Sequence, residues 1–85
     1  MQNENKEKNE DIWPNQPQVF PPIMTPTEAA QFLRLNGTGH TPKSAKRTLD
    51  YWCGRGELRG TKYARHVWYL RSELEAFLKN KTEQY

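Results

Sequence analysis

Basic side chains recur at helical spacing in one short stretch of the chain. Lys43, Lys46 and Arg47 fall at i, i+3 and i+4, so a helix would carry all three on one face. Ammonium and guanidinium groups contact phosphates and guanine edges in nucleic acids. The pattern predicts either a polyanion-binding face or the solvated face of a structural helix, and spacing alone does not separate the two.

The start of this predicted helix offers further polar groups. Thr41-Pro42 is a helix-start signal, with threonine as the N-cap and proline in the first turn. Ser44 and Thr48 add hydroxyl groups near the charged face. Because the first N–H groups of a helix lack intrahelical partners, they also attract a phosphate.

A second basic group follows along the chain. Leu58–Tyr63 and Val67–Leu70 are rich in β-branched and aromatic residues and predict a hairpin around Ala64-Arg65-His66. Cations on a short hairpin either protect a sheet edge from aggregation or reach phosphates and a narrow minor groove. Together, the helix and the hairpin predict a DNA-binding surface of ten residues: Thr41, Lys43, Ser44, Lys46, Arg47, Thr48, Arg59, Lys62, Arg65 and His66.

The distribution of charge agrees with this prediction. The chain carries a net charge of +3, but residues 1–24 sum to −2. Residues 34–71 hold nine lysines and arginines against two acidic residues, a net charge of +7. A basic block beside a mildly acidic tail suggests a polyanionic partner.

Catalytic and metal-dependent functions have little support. Cys53, the only cysteine, falls on an apolar stripe, which predicts a small core residue and a reducing, cytoplasmic environment. His40 and His66 lack a partner set for zinc. We therefore expect no enzyme activity, no cofactor and no metal. The sequence has no signal peptide and no run of about 20 apolar residues, so we expect no membrane span.

Caps and apolar spacing predict three helices. Thr25 and Glu28 form a capping-box pattern for the first helix, which Asn36-Gly37 would end. Ser72 and Glu75 form the same pattern for the third helix. The predicted buried positions of the second and third helices are Ala45, Leu49, Trp52, Cys53, Leu74, Phe77 and Leu78.

The organisation that follows is one small domain with two tails. Residues 1–24 are polar and interrupted by prolines, which predicts a disordered arm. Residues 25–80 form the domain, and residues 81–85 a frayed tail. The predicted fold is mainly α with a small β-hairpin, in the order helix, turn, helix, hairpin, helix, which is a winged helix-turn-helix.

Several motifs resemble the excisionase-type, MerR-like winged helix-turn-helix family. The stretch Thr25–Leu33 is similar to the family's opening helix with its "EAA-x-x-L" motif. It is followed, in the family's order, by Gly56-Glu57-Leu58, by Arg65-His66 in the wing and by Glu73–Leu78, which matches "D/E-L-E-A-F-L". The resemblance covers residues 24–79. It implies a winged-helix fold and binding to double-stranded DNA.

The resemblance also leaves the biological role open. Members of the family include excisionases of phages and transposons, which assist an integrase, and small transcription regulators. It therefore implies DNA recombination or transcription regulation near the nucleoid, with an integrase or another copy of the chain as partner. The alternative from a different class is a protein-interaction adaptor that uses the same scaffold without DNA. Salt dependence separates the two, because phosphate contacts release counterions.

Overall fold

Over residues 12–84, which the computed structural model describes, the chain forms three α-helices and a three-stranded antiparallel sheet. The elements in chain order are β1 (Ile23–Met24), α1 (Pro26–Phe32), α2 (Pro42–Gly54), β2 (Thr61–Tyr63), β3 (His66–Leu70) and α3 (Arg71–Gln84), with a 3₁₀ turn (Leu35–Gly37) between α1 and α2. The sheet order is β1-β3-β2. The predicted mainly helical fold with a small β-hairpin is confirmed at this level.

The starts of α1 and α2 agree with the sequence. The Thr25 hydroxyl accepts a hydrogen bond from the backbone N–H of Glu28 (3.2 Å), and the Glu28 carboxylate accepts one from the N–H of Thr25 (3.0 Å). Thr41 and Ser44 form the equivalent pair at the start of α2. Both capping boxes satisfy N–H groups that a helix leaves without partners.

The end of α1 differs from the prediction. The helix stops at Phe32, and Arg34 takes a left-handed backbone conformation with φ of 64°. The 3₁₀ turn that follows contains Leu35, which is buried in the core. Asn36-Gly37 was expected to end the helix, but burying Leu35 requires the chain to leave the helix axis earlier. An arginine therefore occupies the position where a glycine is usual.

The core lies between the helices and the inner face of the sheet. Its largest fully buried side chains are Met24 from β1, Leu49 from α2, Tyr69 from β3 and Leu74 from α3. Ala29 and Ala30 of α1 and Ala45 of α2 are also buried, at 0–1% exposure. Small residues at this contact allow α1 and α2 to pack closely.

Residues 12–24 do not form the disordered arm that the sequence predicted. Trp13 and Phe20 pack against the core, and Ile23–Met24 pairs with β3 as an edge strand. The Phe20 and Phe32 rings meet edge to face, with centroids 5.4 Å apart. The prolines exclude a helix, as expected, but they do not prevent an extended segment from packing. Residues 1–11 of the predicted arm lie outside the described residues.

The third helix also corrects the sequence prediction. It begins at Arg71, so Ser72 lies inside the first turn instead of capping it. The helix continues to Gln84, through most of the predicted frayed tail. Lys81 stabilises this end, because its Nζ lies 2.9 Å from the Glu57 carboxylate and 5.5 Å from the Phe77 ring centroid.

Burial along α3 follows the prediction only in part. Leu74 and Phe77 are buried, but Leu78 is 40% exposed.

The hairpin is shorter than predicted and has a defined orientation. Ala64 and Arg65 connect the strands with φ of 52° and 67°, as a two-residue type I′ turn requires. Val67 and Tyr69 face the core, and Trp68 faces outward. The sequence alone did not decide between this orientation and the opposite one. Gly60 lies so close to β3 that a Cβ there would meet the Val67 side chain at 3.0 Å.

Candidate nucleic-acid interface

Helix α2 presents its predicted cations to solvent. Lys43, Lys46 and Arg47 are all exposed, and Ala45 and Leu49 on the opposite side are fully buried. With about 100° between successive residues, Arg47 projects almost directly away from the core. The buried side of α2 holds the helix in place, and the exposed side is available to a partner.

The three predicted hydroxyl groups have different surroundings. Ser44 Oγ donates to the Thr41 carbonyl (3.2 Å), and Thr48 Oγ1 donates to the Ser44 carbonyl (3.0 Å). Each of these hydroxyl hydrogens is therefore already used inside the helix, and a phosphate, which only accepts, gains nothing from the remaining lone pairs. Thr41 Oγ1 accepts from the Ser44 N–H (3.1 Å), which leaves its own hydrogen for an external acceptor.

The N-termini of α1 and α2 have opposite electrostatic environments. Glu28 places a carboxylate in the first turn of α1, where it offsets the positive end of the helix dipole. The first turn of α2 has no acidic residue, and Ser44 occupies the position equivalent to Glu28. Lys43 adds a positive charge there. The N-terminus of α2 is thus the more favourable of the two for an anion.

A groove of about 450 Å³ separates α2 from the hairpin. Asp50 and Cys53 line it from α2, and Arg59 and Lys62 line it from the opposite side. Tyr69 also contributes to its wall, and its hydroxyl lies 3.6 Å from the Cys53 sulfur. Burial raises the pKa of the Tyr69 phenol well above its usual value, so this residue stays neutral.

The structure divides the predicted wing residues into two groups. Arg59 and Lys62 border the groove beside α2, and Arg65 lies in the turn at the tip. His66 lies on the outer face of the hairpin, with its ring 6.2 Å from the Trp68 ring. Lys62 pairs with Val67 and Tyr63 pairs with His66. Since alternate residues of a strand face opposite sides, Lys62 and His66 cannot contact the same part of a partner.

The sequence interpretation missed two exposed residues, Tyr51 in α2 and Arg55 at its C-cap. Tyr51 is 61% exposed, and the Arg55 guanidinium lies 5.6 Å from the centre of its ring. Lys43, Arg47, Tyr51 and Arg55 follow one another at intervals of four, which places them in one row along the helix. Extending the four-residue spacing beyond Arg47 would have found both.

Ion pairs distinguish Arg55 from the other cations of this surface. Glu57 Oε2 lies 2.9 Å from Arg55 Nε, and Glu57 Oε1 lies 2.9 Å from Lys81 Nζ. The hydrogen bond from Lys81, followed by that from Arg55, lowers the pKa of the Glu57 carboxyl. Within residues 12–84, by contrast, six cations of α2 and the hairpin have no salt-bridge partner: Lys43, Lys46, Arg47, Arg59, Lys62 and Arg65.

The outer face of the sheet is a separate, apolar surface. Ile23, Thr61, Tyr63, Trp68 and Leu70 line a shallow groove of about 510 Å³ there. Ile23 is 52% exposed and Tyr63 is 71% exposed. This surface lies on the side of the sheet opposite to Val67 and Tyr69.

The chain was compared with protein-family models, curated proteins and solved structures, and none of them matches. Among the residues the structure describes, no group of three or more histidine, cysteine or acidic side chains is arranged to hold a metal ion. None of the described helices is both long and apolar enough to cross a membrane.

Proposed function

We propose that this chain is a sequence-specific, double-stranded DNA-binding protein with a winged helix-turn-helix fold. In this proposal α2 is the recognition helix in the major groove, and the hairpin of β2 and β3 is the wing. The protein acts by binding, and no step in the proposed function requires a catalytic group, a metal or a cofactor.

The six cations without salt-bridge partners carry this proposal. They occur on two different elements, and Arg59 and Lys62 face α2 across the groove. An unpaired surface cation is ordinarily solvated, but six that find no acidic partner within residues 12–84 outweigh Asp50 in the groove and create a positive field that attracts a polyanion. The N-terminus of α2, which has no acidic residue, adds to the same field.

The dimensions of DNA assign different roles to the two elements. A major groove about 12 Å wide accommodates an α-helix. On α2, Arg47 is the side chain that points most directly away from the protein core. Arginine pairs with guanine through two parallel hydrogen bonds. The wing would then contact the adjacent backbone through Lys62 and Arg65, where it adds affinity with little sequence information.

The resemblance to excisionase-type, MerR-like proteins extends the proposal to recombination or transcription control. The element order supports it: strand, helix, helix, two-stranded wing, helix. One domain of this size offers modest affinity, so useful specificity would need a second copy on the DNA or a larger protein such as an integrase. A DNA-binding role also places the protein at the nucleoid, in a cytoplasm where the free thiol of Cys53 persists.

Selection of bound sequences from random duplex DNA tests this function directly. We expect a preferred site to emerge. Affinity for it should fall with a slope of about −0.9 per neutralised phosphate when log Kd⁻¹ is plotted against log salt. The titration should span about 50 to 200 mM salt, where the effect is large. Absence of enrichment, or binding that does not respond to salt, would reject the proposal.

A protein-interaction module is the second candidate, and one observation favours it. The outer face of the sheet exposes Ile23 and Tyr63 beside the half-buried Trp68 around an apolar groove, and such a patch often marks a protein contact. This role does not require Lys43 or Arg47. The chain would then show no salt-dependent affinity for any duplex in the same salt titration.

A further inference from the structure

Two hydrogen bonds hold the start of the segment before β1, one to the turn just before α2 and one to α1. The indole Nε1–H of Trp13 donates to the His40 carbonyl (2.9 Å), and the amide Nε2–H of Gln31 donates to the Pro14 carbonyl (2.8 Å). Gln31 is the one polar side chain that the described residues bury, with 2% exposure. Because a buried amide without a partner is costly, its bond fixes the position of Pro14 and so of Trp13.

The turn that Trp13 contacts leads directly into the first turn of α2. Within it, the Thr38 hydroxyl donates to the Leu35 carbonyl and also lies 2.9 Å from Nδ1 of His40. Gly39 has φ of 87°, a conformation that favours glycine. The turn is short. Its last carbonyl before the N-cap Thr41 is that of His40, which accepts the hydrogen bond from Trp13, a residue far away in the sequence.

The other end of the segment is anchored away from α2. Phe20 packs edge to face on Phe32 of α1, and β1 pairs with β3 through Ile23 and Leu70. The segment is therefore attached at two places: Trp13 and Pro14 bond the turn before α2 and Gln31 of α1, and Phe20 and β1 pack on Phe32 and the sheet. This separation provides a matched control.

We propose that Trp13 is a positioning residue for DNA reading. By binding the His40 carbonyl it fixes the turn before Thr41, and so sets where the N-terminal turn of α2, with Lys43 and Arg47, meets the bases. The inference depends on the proposed DNA-binding function. Trp13 itself contacts no DNA; it acts through the backbone of the turn.

The test compares Trp13→Phe with Phe20→Leu in the full chain. Trp13→Phe keeps an aromatic ring but removes the N–H, so the turn should loosen. We expect faster amide hydrogen exchange at Thr38, Ser44 and Ala45, whose N–H groups bond within the turn and the first turn of α2. We also expect the preference for the selected site over random duplex to fall about two- to tenfold, the range that one neutral hydrogen bond corresponds to.

The control variant and a second variant keep the test decisive. Phe20→Leu loosens the other attachment. After correction for any change in global stability, it should leave both the amide exchange at the turn and the preference for the selected site unchanged. If Trp13→Phe does not fold, Gln31→Met takes its place in the test. Methionine keeps a similar volume but lacks the amide donor, so this variant should show the faster exchange and the lower site preference expected of Trp13→Phe.

Each outcome has one meaning. Equal effects of Trp13→Phe and Phe20→Leu would show general stabilisation and overturn the inference. Faster exchange without a change in site preference would overturn it too. If the unmodified chain binds no duplex, the proposed function fails, and the exchange pattern alone decides whether Trp13 holds the turn.

Discussion

Helix α2 and the hairpin both carry cations without a salt-bridge partner in the described residues 12–84, but the two elements hold them in different surroundings. Helix α2 is capped by Thr41 and Ser44, packed through Leu49 and anchored at its end by the Arg55–Glu57 ion pair. In the hairpin, every residue of β2 is exposed, and both turn residues have positive φ without being glycine. A fixed cation suits base reading, which needs a defined geometry. A mobile one suits phosphates, which recur along any duplex.

This difference predicts that specificity and affinity are separable. Substitutions in α2 should change which sequence is bound, and substitutions in the hairpin should change how tightly any sequence is bound. Variants of each element, and of the joint between them, can break or sharpen that division.

Arg47→Ala should have the largest effect. If Arg47 pairs with a base, affinity for the selected site should fall by about 1–3 kcal/mol, with a smaller loss on random duplex. Fluorescence anisotropy with both duplexes measures the two losses. Lys79→Ala removes an exposed cation from α3 and should change neither. Equal losses of Arg47→Ala on both duplexes would show that Arg47 contacts only phosphate.

Changing Lys62 and Arg65 together to alanine should weaken binding to all duplexes by similar factors. The salt slope should become shallower by roughly one unit for each phosphate that the variant no longer neutralises. Lys79→Ala is the control here too, because it removes an exposed cation that lies outside the predicted DNA-binding surface. A double variant that keeps its affinity for random DNA but loses the preferred site would reverse the roles of the wing and α2.

Ala64→Asn should stabilise the hairpin. Ala64 has φ of 52°, which costs a residue with a Cβ roughly 1–2 kcal/mol, and asparagine tolerates this conformation better. We expect unfolding to become less favourable by up to about 1 kcal/mol, seen as a rise in Tm of about 4–8 °C. Ala76→Asn, the same change in the interior of α3, should lower Tm because asparagine is a weaker helix former.

Glu57→Gln tests the joint between α2 and the hairpin and should have the smallest effect. The folded state lowers the pKa of Glu57 below its ordinary value of 4.5. Its stabilisation is therefore present above that value and is lost as pH falls through the lowered pKa. The variant should melt below the parent chain at neutral pH, and the two Tm values should converge in acid. A constant difference would show that the ion pairs with Arg55 and Lys81 are not responsible.

The local elements of this fold could be predicted because their signals are contained in short stretches. Thr25-Pro26 and Thr41-Pro42 supply both the cap and the preset φ of a first turn, so α1 and α2 begin where the sequence indicates. Four-residue spacing gave the exposed face of α2, and would have given Tyr51 as well. Enrichment in β-branched and aromatic residues gave the hairpin, but not the length of β2.

Three of the errors and open questions have a different cause, which is contact between distant parts of the chain. Residues 12–24 are ordered because Trp13 meets His40 and Met24 pairs with Tyr69. The predicted tail stays helical because Lys81 meets Glu57, 24 residues earlier. The sequence also did not determine which face of the hairpin points inward. The packing of Tyr69 in the core decides it.

By itself the sequence determined the starts of α1 and α2, the order of the helices and the hairpin, and the cluster of cations, because caps, periodicity and charge act over a few residues. Only the tertiary structure decided that Lys62 faces α2 while His66 faces away, and that Trp13 holds the turn before the recognition helix of our proposal. Those arrangements depend on strand register and on the burial of side chains far apart in the chain. Neither leaves a periodic signal in the residues that make the contact.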